Sequence, residues 1–185
     1  MGNMYDKYNM GDIHWQWYSN MPSYYTLVNE SLEPFKHAVP GSLVDIGCGD
    51  GVSLSLLDQM GFKCSGVDSS KQGIDLAIQH NVTAEYYIQS AEDFALRGLE
   101  FDYLYSLNTI EHLDSPRCMV EIMKRISKFG VIITDHADGH PTKDSSRYHN
   151  QEFTPESFTE LFSDFNLERI KLTDPAYFGF VITRR

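Results

Sequence analysis

The chain has 185 residues and a formal net charge of -11, with 26 Asp and Glu against 15 Lys and Arg. That length suits one domain able to bury about 70% of its unfolded surface, and a hydrophobic content of 42% argues against disorder. The acidic balance disfavours a nucleic-acid partner, and no apolar run reaches the ~20 residues of a membrane span.

The N-terminus carries Asp6, Lys7, Asp12 and His14 and lacks the apolar stretch of a signal peptide. Cys48, Cys64 and Cys118 show no CxxC spacing and read as buried, reduced thiols of a cytoplasmic protein. Aromatic and Met residues crowd Met1 to Asn20, among them Tyr8, Met10, Trp15, Trp17 and Tyr18. Such a segment either packs on the domain or forms a lid that offers π faces to a cation. Tyr24, Leu27, Val28, Leu32 and Phe35 recur at helical spacing from Pro22 to His37. Residues 1–40 therefore read as an aromatic-rich lid plus a helix, and residues 41–185 as the core of one domain.

Leu43, Val44 and Ile46 form a strand pattern that stops at Gly47, Gly49 and Gly51, after which Val52 to Met60 is helical and Gly61 closes the helix. A second strand, Lys63 to Val67, ends in Asp68. Ser69 or Ser70 caps a helix that turns Ile74, Ala77 and Ile78 inward, and Asn81 is expected to end it in a left-handed conformation. Thr83 to Ile88 and Phe101 to Leu107 read as further strands. Between Leu107 and the strand Phe129 to Thr134, Ser115 and Pro116 open a helix. Asp135 to Glu152 is polar, with Asp138, His136 and His140, and a structureless insert of that length is usually functional or disordered. Thr154 and Pro155 start a helix with Phe158, Leu161, Phe162 and Phe165 on its buried stripe. Leu167 to Leu172 and Tyr177 to Thr183 close the chain as two antiparallel strands. This alternation predicts an α/β, doubly wound, Rossmann-like sheet of seven mostly parallel strands with an antiparallel last strand. Gly47, Asp68, Ser90, Leu107 and Asp135 then fall at strand C-termini, where such sheets bind ligands.

The three glycines let backbone approach a ligand that a Cβ would push away, and Asp68 lies about 20 residues beyond the first of them, where a ribose-binding carboxylate belongs. The spacing departs from the GxGxxG of a dinucleotide oxidoreductase. Asp45-Ile46-Gly47-Cys48-Gly49-Asp50-Gly51 and Val67-Asp68-Ser69 resemble instead the first two motifs of class I S-adenosylmethionine-dependent methyltransferases. Ser90-Ala91-Glu92-Asp93 and Glu111-His112-Leu113 resemble the third and fourth.

The resemblance implies S-adenosylmethionine as cofactor. Asp45 would position the loop and the methionine ammonium, Gly47, Cys48 and Gly49 would approach the methionine and ribose, and Asp68 with Ser69 would hold the ribose. Ala91 and Glu92 would meet the adenine, and Asn108 would line the methyl-donor side. It further implies methyl transfer to an O or N atom of a small molecule. If the acceptor is protonated, His112 or His149 is the candidate base, since imidazole titrates near neutrality. A small-RNA terminal 2′-O-methyltransferase would add a metal, matched by Glu111, His112 and His149, but Asn108 stands where that pattern has its first Glu. The expectation is therefore methyl transfer without a metal. A non-catalytic S-adenosylmethionine-binding module would share the cradle but lack a furnished acceptor side.

Overall fold

The computed structural model describes residues 4–81, 83–137 and 149–185. Among these, β1 (Ser42–Ile46), β2 (Lys63–Asp68), β3 (Glu85–Ile88), β4 (Phe101–Leu107), β5 (Ile126–Asp135), β6 (Phe165–Arg169) and β7 (Tyr177–Arg184) form one sheet in the order β3-β2-β1-β4-β5-β7-β6. The pairings among β1 to β5 are parallel, and β7 runs antiparallel to both β5 and β6. The doubly wound sheet with an antiparallel last strand is thus as the alternation of strand and helix patterns predicts. The winding reverses between β1 and β4, which opens a crevice at their C-terminal ends.

The helices are α1 (Ile13–Asn20), α2 (Pro22–Ser31), α3 (Val52–Gln59), α4 (Lys71–His80), α5 (Ala91–Leu96), α6 (Arg117–Met123) and α7 (Pro155–Leu161). Two apolar clusters cover the sheet's two faces. One, against α5, α6 and α7, joins Phe94, Met119, Ile122, Phe158 and Phe162 to Leu104 and Ile132. The other, against α2 and α3, joins Leu27, Leu32, Leu54 and Leu57 to Tyr103, Tyr105 and Val131. Tyr105 is fully buried and stays satisfied because its hydroxyl meets Ser31 Oγ at 2.6 Å and Ser53 Oγ at 3.2 Å.

Several boundaries differ from the sequence pattern for local reasons. The helix expected through His37 stops at Ser31 and tightens into a 3-10 turn, Glu33–Phe35, because Pro34 supplies no N–H for a continuing helix. Asn81 is extended (φ -144°) rather than left-handed. Its side-chain oxygen accepts the Thr83 and Ala84 N–H groups, an Asx-type turn that delays β3 until Glu85. Ser115 does not cap α6 with its hydroxyl; its carbonyl accepts the Cys118 N–H, and Pro116 holds the cap position. Phe165 leaves the helical stripe to pair with Arg184, so β6 starts there and ends at Arg169 instead of Leu172. No helix among the described residues is long and apolar enough to cross a membrane.

Candidate active site

A cavity of about 720 Å³ opens at the C-terminal ends of β1, β2, β4 and β5, within the range of small-molecule sites. Its floor is the turn after β1. Gly47 has φ +80° and Gly49 φ +53°, left-handed conformations that glycine adopts without strain. A Cβ on Gly47 would stand 2.0 Å from Thr109 Oγ1, and one on Gly49 2.6 Å from the Tyr8 hydroxyl. These glycines therefore admit the loop after β4 and the N-terminal segment as well as any ligand. The Gly47 and Cys48 N–H groups both donate to the Val67 carbonyl, at 2.7 and 3.1 Å, which locks the turn to β2.

Asp45, Gly47, Cys48, Asp68, Ser69 and Ala91 line the cavity. Gly49 and Glu92 do not. Tyr8 and His14 cover Gly49, and Glu92 faces the start of α6, accepting the Ser115 N–H at 3.2 Å. Asp68 accepts the Gly49 N–H at 2.9 Å and the Ser70 N–H at 2.7 Å, one on each oxygen. A carboxylate has about four acceptor sites, so two stay open. Burial raises the Asp68 pKa and these backbone bonds oppose the shift. Asp45 is 2% exposed, and no hydrogen bond among the described residues reaches its carboxylate. Burial raises its pKa well above the carboxylate range, with Asp68 adding to the shift.

Asn108, His112 and His149 line the opposite end of the same cavity. Asn108 has φ +51°, the one positive value on a non-glycine residue among those described, and its buried side-chain oxygen has no hydrogen-bond partner among the described residues. Glu111 is 1% exposed. Thr134 Oγ1 donates to its Oε2 at 2.9 Å, while its Oε1 has no hydrogen-bond partner. Burial, with the Asp135 charge adding, pushes the Glu111 carboxyl up to about 8. The Asn150 and Gln151 N–H groups donate to the Glu111 carbonyl at 2.9 and 3.0 Å, and Asn150 Nδ2 donates to the His112 carbonyl at 2.8 Å. This clamp carries His149 into the cavity, with Nε2 3.1 Å from Asp135 Oδ2 and its ring 5.0 Å from that of His112. Donor atoms of Glu111, His112 and His149 lie within 4.8 Å of one another, close enough to share a divalent ion. His136 is not among the lining residues and packs on Phe178; Asp138 and His140 fall outside the described residues.

The aromatic-rich lid pattern of the N-terminal segment assigned none of its lining residues to the site, and the contacts that seat the segment join distant positions. Asp50 is fully buried. It accepts the His14 N–H at 2.8 Å, meets His14 Nδ1 at 2.7 Å, and its carbonyl accepts Trp15 Nε1–H at 3.0 Å. Gln72 Nε2 donates to the Tyr8 carbonyl at 3.0 Å. Lys7, Tyr8, His14, Trp17 and Tyr24 thereby become cavity walls. The available signal was Asp50 itself, an acidic residue between two glycines.

Residues 23–172 match the family described as a methyltransferase domain. The chain belongs to that family. Its cofactor is S-adenosylmethionine. The ubiquinone biosynthesis O-methyltransferase of Bartonella tribocorum is 28% identical over 102 residues, 53% of this chain and 40% of that one. The counterpart named mitochondrial in Arabidopsis thaliana is 35% identical over 92 residues, 46% of this chain and 28% of that one. The chain spans less than half the length of these curated relatives. A Haloferax volcanii methyltransferase complex with the Trm112 activator superposes at TM-score 0.81 with 12% identity, covering 100% of this chain and 99% of that one. At that identity the likeness is one of fold.

The methyltransferase cavity fits this cofactor. Asp45 presents a buried carboxylate without a hydrogen bond, suited to an ammonium group, and Asp68 keeps open acceptor sites for ribose hydroxyls.

Proposed function

We propose that this methyltransferase transfers a methyl group from S-adenosylmethionine to a hydroxyl or amine of a small molecule in the cytoplasm, without a metal, and that His149 removes the acceptor's proton. The observation that carries this reading is the His149–Asp135 pair at 3.1 Å, set at the cavity end opposite Asp68. The O-methyltransferase names of the relatives favour an oxygen acceptor.

When bound, the cofactor supplies an electrophilic methyl group. The chain's part is to orient and to move a proton. Asp45, Asp68, Ser69 and the backbone at Gly47, Cys48 and Ala91 hold the donor, with Gly49 supporting the turn from behind. Asp135 accepts a hydrogen bond from His149 Nε2 and leaves Nδ1 as the basic nitrogen. His112, stacked edge-on against His149, helps to set the imidazole plane. Asn108 lines the space between donor and acceptor. A pair aligned in this way needs little further help, because positioning alone supplies a large share of such accelerations.

The test is incubation of the protein and radiolabelled S-adenosylmethionine with mixtures of small phenols, alcohols and amines, with and without EDTA. Label transfer that survives EDTA supports the reading. Transfer that needs an added divalent ion would replace it with a metal-assisted reaction at Glu111, His112 and His149, for which the spacing of their donor atoms is the favouring observation. Saturable cofactor binding without transfer to any member of the mixtures would favour a binding module.

A further inference from the structure

Among the described residues, six acidic side chains, of Asp6, Asp45, Asp50, Asp68, Glu111 and Asp135, line the cavity against one ammonium, that of Lys7. Such a wall suits a ligand with positive charge, and S-adenosylmethionine has two such charges, on its sulfonium and its ammonium. It also carries one anionic group, the methionine carboxylate, which the ionised members of this wall repel. We propose that Lys7 is the seat of that carboxylate, which makes the N-terminal 3-10 turn Met4–Met10 part of the cofactor site. The proposal rests on S-adenosylmethionine as the ligand and deepens that reading.

Three observations carry it. The backbone beside Lys7 is held in place, because Tyr8 is 3% exposed, its carbonyl accepts Gln72 Nε2–H, and its ring lies against Gly73, where an added Cβ would come within 3.2 Å of it. The ammonium of Lys7 lies 5.3 Å from the Tyr8 ring centroid, and no carboxylate among the described residues lies within ion-pair distance of it, so it remains available to an anion. Finally, Asp68, Asp50 and Glu111 are the charges that act on it. Asp68 marks the ribose end of the cavity and Glu111 the acceptor end, and Lys7 lines this same cavity, along which the methionine arm must run. Half-burial of the ammonium lowers its affinity for a proton, and an incoming carboxylate would offset that loss.

The experiment compares two ligands that differ in the carboxylate alone. Calorimetric affinities for S-adenosylmethionine and for decarboxylated S-adenosylmethionine are measured on the wild-type chain, Lys7→Met and Lys7→Arg. Wild type should prefer S-adenosylmethionine about 10- to 100-fold, the range of one charge-assisted hydrogen bond. Lys7→Met should erase that preference with little change for the decarboxylated ligand, and Lys7→Arg should keep most of it. Equal weakening of both ligands in Lys7→Met would make Lys7 a structural support, and an unchanged preference would place the carboxylate elsewhere; either result overturns the proposal. Failure of the folded wild-type chain to bind S-adenosylmethionine at all would overturn the cofactor reading itself, an outcome distinct from the other two.

Discussion

At the scale of single residues, the acceptor end of the cavity depends on two carboxyl groups with different partners. Asp135 is matched to His149 at 3.1 Å, so His149→Ala should lower the rate of methyl transfer on the order of a hundredfold. Asp135→Asn, which leaves the imidazole but removes the charge that orients it, should cost about tenfold. Initial rates at saturating acceptor check both, and full activity in His149→Ala would mean that positioning alone suffices. Glu111 is only half matched, by Thr134, and its carboxyl is pushed from 4.5 up to about 8 by burial. The folded state therefore holds a proton between those values that the unfolded chain has released. Its contribution to stability is complete below pH 4.5 and is lost as pH climbs through 8, with a slope of at most ~1.4 kcal/mol per pH unit. Urea unfolding at pH 5, 6.5 and 8 should show this decline, and Glu111→Gln should flatten it. A wild-type stability that rises across the window would mean that Glu111 is ionised in the folded state.

At the scale of elements, the N-terminal 3-10 turn and α1 are held to the β1–α3 turn by few contacts of high quality. His14 meets the fully buried Asp50 through both its backbone N–H and its ring, and removing one partner leaves a buried carboxylate short of a donor. His14→Ala should therefore release the segment by about 1.5 to 3 kcal/mol, seen as roughly 10- to 100-fold faster amide exchange in residues 13–20 while β1, β4 and β5 keep their protection. Exchange that accelerates equally across the sheet would show that the segment is integral to the core. The same contact shows what sequence could and could not reveal. The doubly wound, mostly parallel sheet was legible because strand and helix patterns alternate, and parallel strands need helical crossovers. The glycine turn, Asp68 and Ala91 were legible because each sits at a set distance after its strand. The Asp50–His14 contact joins residues 36 positions apart, and Asp135 reaches His149 only because Asn150 is clamped to Glu111 and His112. No local pattern encodes either pairing. Lys7 was invisible as a site residue for the same reason, being one charged residue in an aromatic stretch until Tyr8 docks on Gly49 and Gly73.

At the scale of the whole molecule, the cavity lies between the C-terminal ends of the strands and two walls from distant parts of the chain, one drawn from residues 6–24 and the other from His149. A ligand that spans from Asp68 to His149 touches both walls and the sheet together, so its binding free energy should appear as global stability as well as local order. The expected size follows from mass action: at a ligand concentration of one hundred times Kd, the folded state gains about 2.7 kcal/mol. For a domain of this length each kcal/mol raises Tm by roughly 2 to 4 °C, which gives a shift of about 5 to 10 °C. Differential scanning calorimetry with S-adenosylmethionine, its demethylated product and NAD checks this. The first two should shift Tm by that amount and slow exchange in residues 6–20 and 149–151, and NAD should do neither, because the turn after β1 lacks the GxGxxG spacing of a dinucleotide site. A Tm shift with unchanged exchange in both walls would mean that the cofactor contacts the strand ends alone, and that closure over the acceptor awaits the acceptor itself.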